Sequence, residues 1–239
     1  IIGHLFNGSA AKVAALICFL GYLGFTSSQL LAGAKLASGT FEGLDLHVAL
    51  MIMGAIAVVY TVMGGLKAVI YTDTIQWIIL MAGLMFIGIP ISYNYVGGWE
   101  GIHSTLPQEF FSFTNLTWQD FTNWGITIIP IWFVGMTLYQ RIFASRDVKS
   151  AKKAWFIAGL FEWPIMAMLG VSLGLLSRVA VEQGALVGFT SAMDPEMGLP
   201  VLLSQILPAG ILGLMMSAYF SAVLSTADSC LMAASGNLT

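Results

Sequence analysis

The chain has 239 residues, of which 58% are hydrophobic and 9% charged, and its formal net charge is −3. A soluble domain carries about a quarter charged residues, so the composition excludes one and specifies an integral membrane protein lying in a lipid bilayer. The nine Lys and Arg form no basic surface, which excludes nucleic acid as a partner.

In chain order, about six apolar stretches reach the length needed to cross a bilayer. They cover residues 12–34, 47–65, 74–96, 124–140, 154–176 and 207–234, with a short surface helix over 199–206 before the last. Hydrocarbon offers the backbone no water, so each segment must bond to itself, which predicts helices throughout. Lys12, Lys67, Arg141, Arg146, Lys149, Lys152 and Lys153 fall on one side of this alternating pattern, and Lys35 and Arg178 on the other. The positive-inside rule places the larger set in the cytoplasm, so spans one, three and five run outward. The expected location is the cell membrane, as a multi-pass protein, and the inner membrane if the source is bacterial. The chain opens beside one span and closes directly after another. One transmembrane domain over residues 1–239, incomplete at both ends, is therefore expected.

The connection over residues 96–123 is long and aromatic, with Trp99, Phe110, Phe111, Phe113, Trp118 and Phe121. It suits an interfacial cap over an outer vestibule, or equally a lipid-anchoring loop. Asn115-Leu116-Thr117 within it fits a glycosylation sequon, a short and common pattern.

Charged residues within spans are few and costly. Glu162 stands in Phe161-Glu162-Trp163-Pro164, where the proline predicts a kink and the acid a bond to a neighbouring helix or a place on a cavity. Thr26, Ser27, Ser28 and Gln29 are four consecutive polar residues in span one and cannot all face lipid. Pro130 and Gly135 in span four, near Trp132 and Tyr139, suit a helix bent around a binding site, or a plain packing kink. Asp73 opens span three, where it can cap the helix beginning at Thr74.

The last span carries a stripe of small and hydroxyl residues: Ala218, Ala222, Ser225, Thr226, Ser229 and Ala233. Their spacing puts them on one helix face. Such a face lets helices pack closely. It can also hold a cation, because hard cations take hydroxyl and carbonyl oxygens. Ser225, Thr226 and the carbonyl of Ala222 supply about three such oxygens, and a complete cage needs more from another segment. Asp228 lies about 60° from Ser225 around the helix. It and Ser229 are read as supporting residues at the edge of the site.

Enzymatic and metal-centre readings find little support. No nucleophile elbow, His-Glu-x-x-His pair or phosphate-binding glycine loop is present. Asp73 and Asp228 could form an aspartyl dyad, but nothing in the sequence brings them together. His4, His47 and His103 are scattered. Cys18 and Cys230 read as buried small hydrophobes.

Two stretches carry a family likeness. Residues 60–76 (Tyr60-Thr61-Val62-Met63-Gly64-Gly65-Leu66-Lys67-Ala68-Val69-Ile70-Tyr71-Thr72-Asp73-Thr74-Ile75-Gln76) resemble the signature of the sodium/solute symporter family. Phe220 to Ser229 resembles that family's sodium-site helix. Tyr139-Gln140-Arg141 and Ser150 to Ala154 resemble its connection between the fourth and fifth spans seen here. The resemblance implies an all-α, five-plus-five inverted-repeat bundle of the leucine-transporter type, in which these spans are core helices three to eight. It implies a sodium half-site on Ala222, Ser225 and Thr226, completed by a first helix absent from this chain, with Asp73 on the inner sodium exit route. The family's sugar carriers place an aromatic gate beside the helix-six tryptophan. Here Ile131 stands next to Trp132, which argues against sugar.

The resulting expectation is sodium-coupled uptake of a small polar organic solute (an amino acid, carboxylate, vitamin or related compound) by alternating access. Na⁺ is the coupling ion, and Gln29, Trp132 and Tyr139 are candidates for the solute pocket. The competing expectation is a channel-like or sensor protein that keeps the fold without coupling.

Overall fold

The computed structural model describes residues 6–112 and 114–238, and only the backbone of residues 64–72, 132–134, 163 and 238. Phe113 and the side chains of Lys67, Trp132 and Trp163 lie outside what is described.

Among the described residues, five helices are long and apolar enough to cross a membrane, or six if one bent pair counts as a single span. Helix α1 (Gly8–Thr40) starts where the Asn7 side chain accepts the Ala10 N–H at 2.7 Å. Its run of polar residues is largely satisfied by the helix itself. The hydroxyls of Thr26, Ser27 and Ser28 donate to the carbonyls of Tyr22, Leu23 and Phe25. Only Thr26 of these three is buried.

Helix α2 (Leu46–Gly83) is capped by Asp45. A π-turn over Leu84–Gly88 follows, then α3 (Ile89–Tyr95). Pro90 has no N–H to give to the preceding turn, which accounts for the widened register there. Beyond α3 come α4 (Gly98–Thr105) and a single 3₁₀ turn, and then α5 (Trp118–Val134), which begins with a capping box between Thr117 and Asp120. Helix α6 (Met136–Phe143) continues α5 after a break with a 40° bend. The predicted fourth span is thus two helices. Next are α7 (Val148–Phe161), a π-turn over Glu162–Met166 and α8 (Ala167–Glu182). Pro164, where a kink was expected, lies within that π-turn, and Glu162 is exposed on it. The surface helix is α9 (Gly198–Ile206), and α10 (Ala209–Leu238) closes the chain.

Helix α10 packs on α1 and α2, and its buried small residues (Ala218, Ser225, Ala227, Ser229, Ala233) allow the close approach. It runs antiparallel to α1: Thr40 meets Met216 at one end, while Tyr22 and Cys230 share a cavity toward the other. The two halves of α2 meet α10 in opposite senses. Ala49 belongs to a core with Phe220, and Thr61 bonds Asp228 further down. Asp73 then lies at the level of Ser229, and Gly83 faces Met215. The stretches on either side, Leu46–Met63 and Asp73–Tyr95, are the second and third predicted spans.

At the end of the bundle near Met215, α3, α4, α8 and α9 share a core of Val96, Ile102, Leu176, Val179 and Leu202. Gln183 donates to the Val96 carbonyl and to the Thr105 hydroxyl, tying the aromatic connection to α8. Within that connection His103 stacks on Phe111 with ring centroids 4.3 Å apart. Lys35 and Arg178 lie at this end, paired with Asp194 and Glu196, and with Glu182. Arg141 lies at the other end. These three cations fall at the ends expected of them from the sequence.

Candidate sodium site

The stripe on α10 gathers oxygens. Ser225 donates its hydroxyl to the Ala222 carbonyl at 3.2 Å, and Thr226 donates to the same oxygen at 3.0 Å. Three neutral oxygens thus lie within hydrogen-bond distance of one point on the helix. Ser225 is buried and Thr226 half-buried. A hydroxyl that gives its hydrogen to its own helix turns its lone pairs away from it. That donor set, oxygen only and uncharged, fits a small hard monovalent cation. It also serves helix packing, so the two readings of the stripe describe the same face.

One turn further in, the groups are charged. Ser229 donates to the Ser225 carbonyl at 2.9 Å and accepts from Arg141 Nη2 at 3.0 Å. The same guanidinium lies 3.4 Å from Asp73 Oδ2. Asp228, completely buried, accepts from the Thr61 hydroxyl, which also reaches the Ala57 carbonyl at 2.8 Å. Asp73 Oδ1 and Asp228 Oδ2 are buried without a partner among the described residues. Four segments meet here: both halves of α2, α6 and α10. Asp73 and Asp228, both expected toward the inner side, meet in one cluster through Arg141 and Ser229, a convergence that the sequence did not encode. Arg141 stands beside Asp73 and reaches the residue next to Asp228, so the cluster is an ion pair and its buried neighbours.

The expected pocket residues are more dispersed. Gln29 is half-buried on α1. Tyr139 is 39% exposed and stacks on Phe143 at 6.4 Å. The Trp132 side chain lies outside the described residues. Two cavities flank α1. One, about 520 Å³, is lined by Ser28, Lys35, Glu196, Tyr219 and Val223 among others. The other, about 470 Å³ and mostly apolar, is lined by Cys18, Tyr22, Phe25, Ile131, Gly135 and Cys230 among others. Ile131 therefore does border a cavity.

Sequence reasoning passed over Thr61, Arg141 and Tyr22. Thr61 and Tyr22 are polar groups inside spans, which need partners. Arg141 carries orientation and family likeness in the sequence, but no partner. A cation ending one span opposite Asp73 starting another is a signal for an ion pair, but the pairing needs the fold.

The family model described as "Sodium:solute symporter family" matches residues 5–239. Solute carrier family 5 member 4 of Rattus norvegicus is 27% identical, the match covering 81% of this chain and 34% of that protein. Sodium/glucose cotransporter 1 of Ovis aries is 26% identical, covering 90% and 39%. Sodium/myo-inositol cotransporter 2 of Mus musculus is 28% identical, covering 96% and 39%. The chain thus spans roughly a third to two fifths of the length of these relatives. A solved Na⁺-coupled sialic acid symporter, substrate-bound and outward-open, superposes with a TM-score of 0.68 at 24% identity, over 94% of this chain and 49% of that one. That likeness shows the fold, the expected inverted-repeat helix bundle. With almost its whole length matched and several apolar helices, this multi-pass membrane protein belongs to the sodium:solute symporter family.

Proposed function

We propose that this chain is part of a secondary transporter that couples inward Na⁺ movement to uptake of a small polar organic solute by alternating access. The observation that carries the reading is the convergence of Ser225 and Thr226 on the Ala222 carbonyl, within a chain whose relatives are named as sodium cotransporters. Na⁺ is cargo here. It would sit against these three oxygens and take the rest of its shell from elsewhere in the transporter. Its binding would favour the outward-open state, since a ligand shifts an equilibrium by its differential affinity for the two states. The membrane potential then drives it inward, at about 2.3 kcal/mol per charge per 100 mV.

Asp73 lies on the inner side of the half-site and holds Arg141. Exit of Na⁺ past Asp73 requires that guanidinium to move, so the ion pair belongs to the inner-closed arrangement. A non-sugar polar solute is favoured, because Ile131 stands beside Trp132 where the resemblance puts an aromatic gate in sugar carriers; Ile131 borders a cavity. Amino acids, carboxylates and vitamins are the classes to screen first.

The test is uptake of labelled candidate solutes into proteoliposomes bearing the whole transporter, with and without an inward Na⁺ gradient. Symport predicts accumulation above equilibrium only with the gradient. Equal uptake in both conditions would assign the protein to the channel-like or sensor class.

A further inference from the structure

The break between α5 and α6 carries a contact that the sodium half-site does not use. Tyr22 reaches it from the middle of α1. Its phenol oxygen accepts the backbone N–H of Met136 at 2.6 Å and that of Thr137 at 3.3 Å. A helix leaves its first N–H groups without internal partners, and Gly135 at the cap position has no side chain to serve them. Tyr22 therefore caps α6 from a different helix. Gly135 is itself constrained. A Cβ there would lie 2.7 Å from the Ile131 carbonyl oxygen, the acceptor of the Gly135 N–H. At the far end of α6, Arg141 holds Asp73 and Ser229. This eight-residue helix, about 12 Å long, is fixed at its start to α1 and at its finish to α2 and α10.

We propose that Tyr22 is a positioning residue whose hydroxyl pins the joint between α5 and α6, and through it the place of Arg141 beside the sodium half-site. The proposal rests on the alternating-access reading, in which the break in this span is a moving joint. Thr137 and Leu138 of the pinned α6 line one cavity with Tyr22 and Cys230, and Cys230 is only 4% exposed. Release of the pin lets α6 turn about Gly135 and uncovers the Cys230 thiol.

Cys230 gives a readout that does not depend on transport. In the whole transporter, with Cys18 and every cysteine outside this chain replaced by Ala, alkylation of Cys230 by a small maleimide is timed in proteoliposomes without an ion gradient. Tyr22→Phe removes one oxygen and keeps the ring. Met136→Pro removes the donor of the shorter bond, at the first helical position, which tolerates proline. Each variant is expected to raise the labelling rate about five- to tenfold, the value of one good hydrogen bond. A reporter made by Ala180→Cys in a Cys230→Ser background, at a fully buried position in the opposite core, is expected not to change. Unchanged labelling of Cys230 in both folded variants overturns the pin, as does an equal rise at position 180. Sodium-independent uptake combined with the expected labelling would leave the pin standing and overturn only the symport reading.

Discussion

Thr61 and Asp228 are joined side chain to side chain where α2 meets α10, and Asp228 has none of its surface exposed. The Thr61 hydroxyl is the only described hydrogen-bond partner of the Asp228 carboxyl, since the other carboxylate oxygen is buried without one. The pair ties the second and last spans together close to the proposed sodium half-site.

Replacement of Thr61 by Val keeps the shape and removes the partner. A buried polar group left without a partner costs about 1–3 kcal/mol, so Thr61→Val is expected to lower the unfolding midpoint in detergent, and Thr61→Ser to restore most of it. Equal midpoints for the wild type and Thr61→Val would mean that the bond contributes nothing.

Gly101 is held by contact rather than by conformation. A Cβ at this position would lie 1.8 Å from the Val96 carbonyl oxygen, an overlap that only backbone movement relieves. The same carbonyl accepts from Gln183 at 3.0 Å. Gly101→Ala is therefore expected to destabilise by about 2–3 kcal/mol or more, and to speed amide exchange in α4 and at the end of α8. Gly159→Ala, a helical position with open space around it, is the matched control.

Lys35 anchors the acidic connection before α9 through Asp194 at 2.7 Å and through Glu196. The hydrogen bond from Lys35, helped by the Glu196 backbone N–H, holds the Asp194 carboxyl below its ordinary range. A carboxyl with a depressed folded value adds stability above its ordinary value of about 3.9, and that contribution is lost as pH falls through the lowered value. Amide exchange over Glu196–Ile206, corrected for intrinsic rates, should therefore be flat from about pH 8 to 5 and accelerate only below the ordinary carboxylate range. Lys35→Gln should raise it roughly two- to fivefold at neutral pH, as expected of an exposed pair.

The spans were legible because hydrocarbon imposes a length and an apolar composition that a sequence shows directly. The irregular turn at Pro164 was legible for a similar reason, since a missing N–H is a local fact. The break at Gly135 was legible only as a proline and a glycine in one span. What makes it a joint is Tyr22, more than a hundred residues away, and no periodicity encodes that. The proposed half-site followed from resemblance, and its three oxygens lie within one turn of α10. The Asp73–Arg141–Ser229 contacts join three separate helices. The charge pattern that located Arg141 at the inner end said nothing of which acid it would meet.

The central claim is that Ala222, Ser225 and Thr226 form half of a sodium site. The most direct measurement is the Na⁺ concentration for half-maximal solute uptake in Ser225→Ala and Thr226→Ala, with the amount of protein in the membrane determined alongside. Each variant loses one oxygen, and each should raise that concentration roughly tenfold, the value of about one ligand-type hydrogen bond. Half-maximal concentrations equal to wild type in both variants, at normal protein levels, would contradict the account.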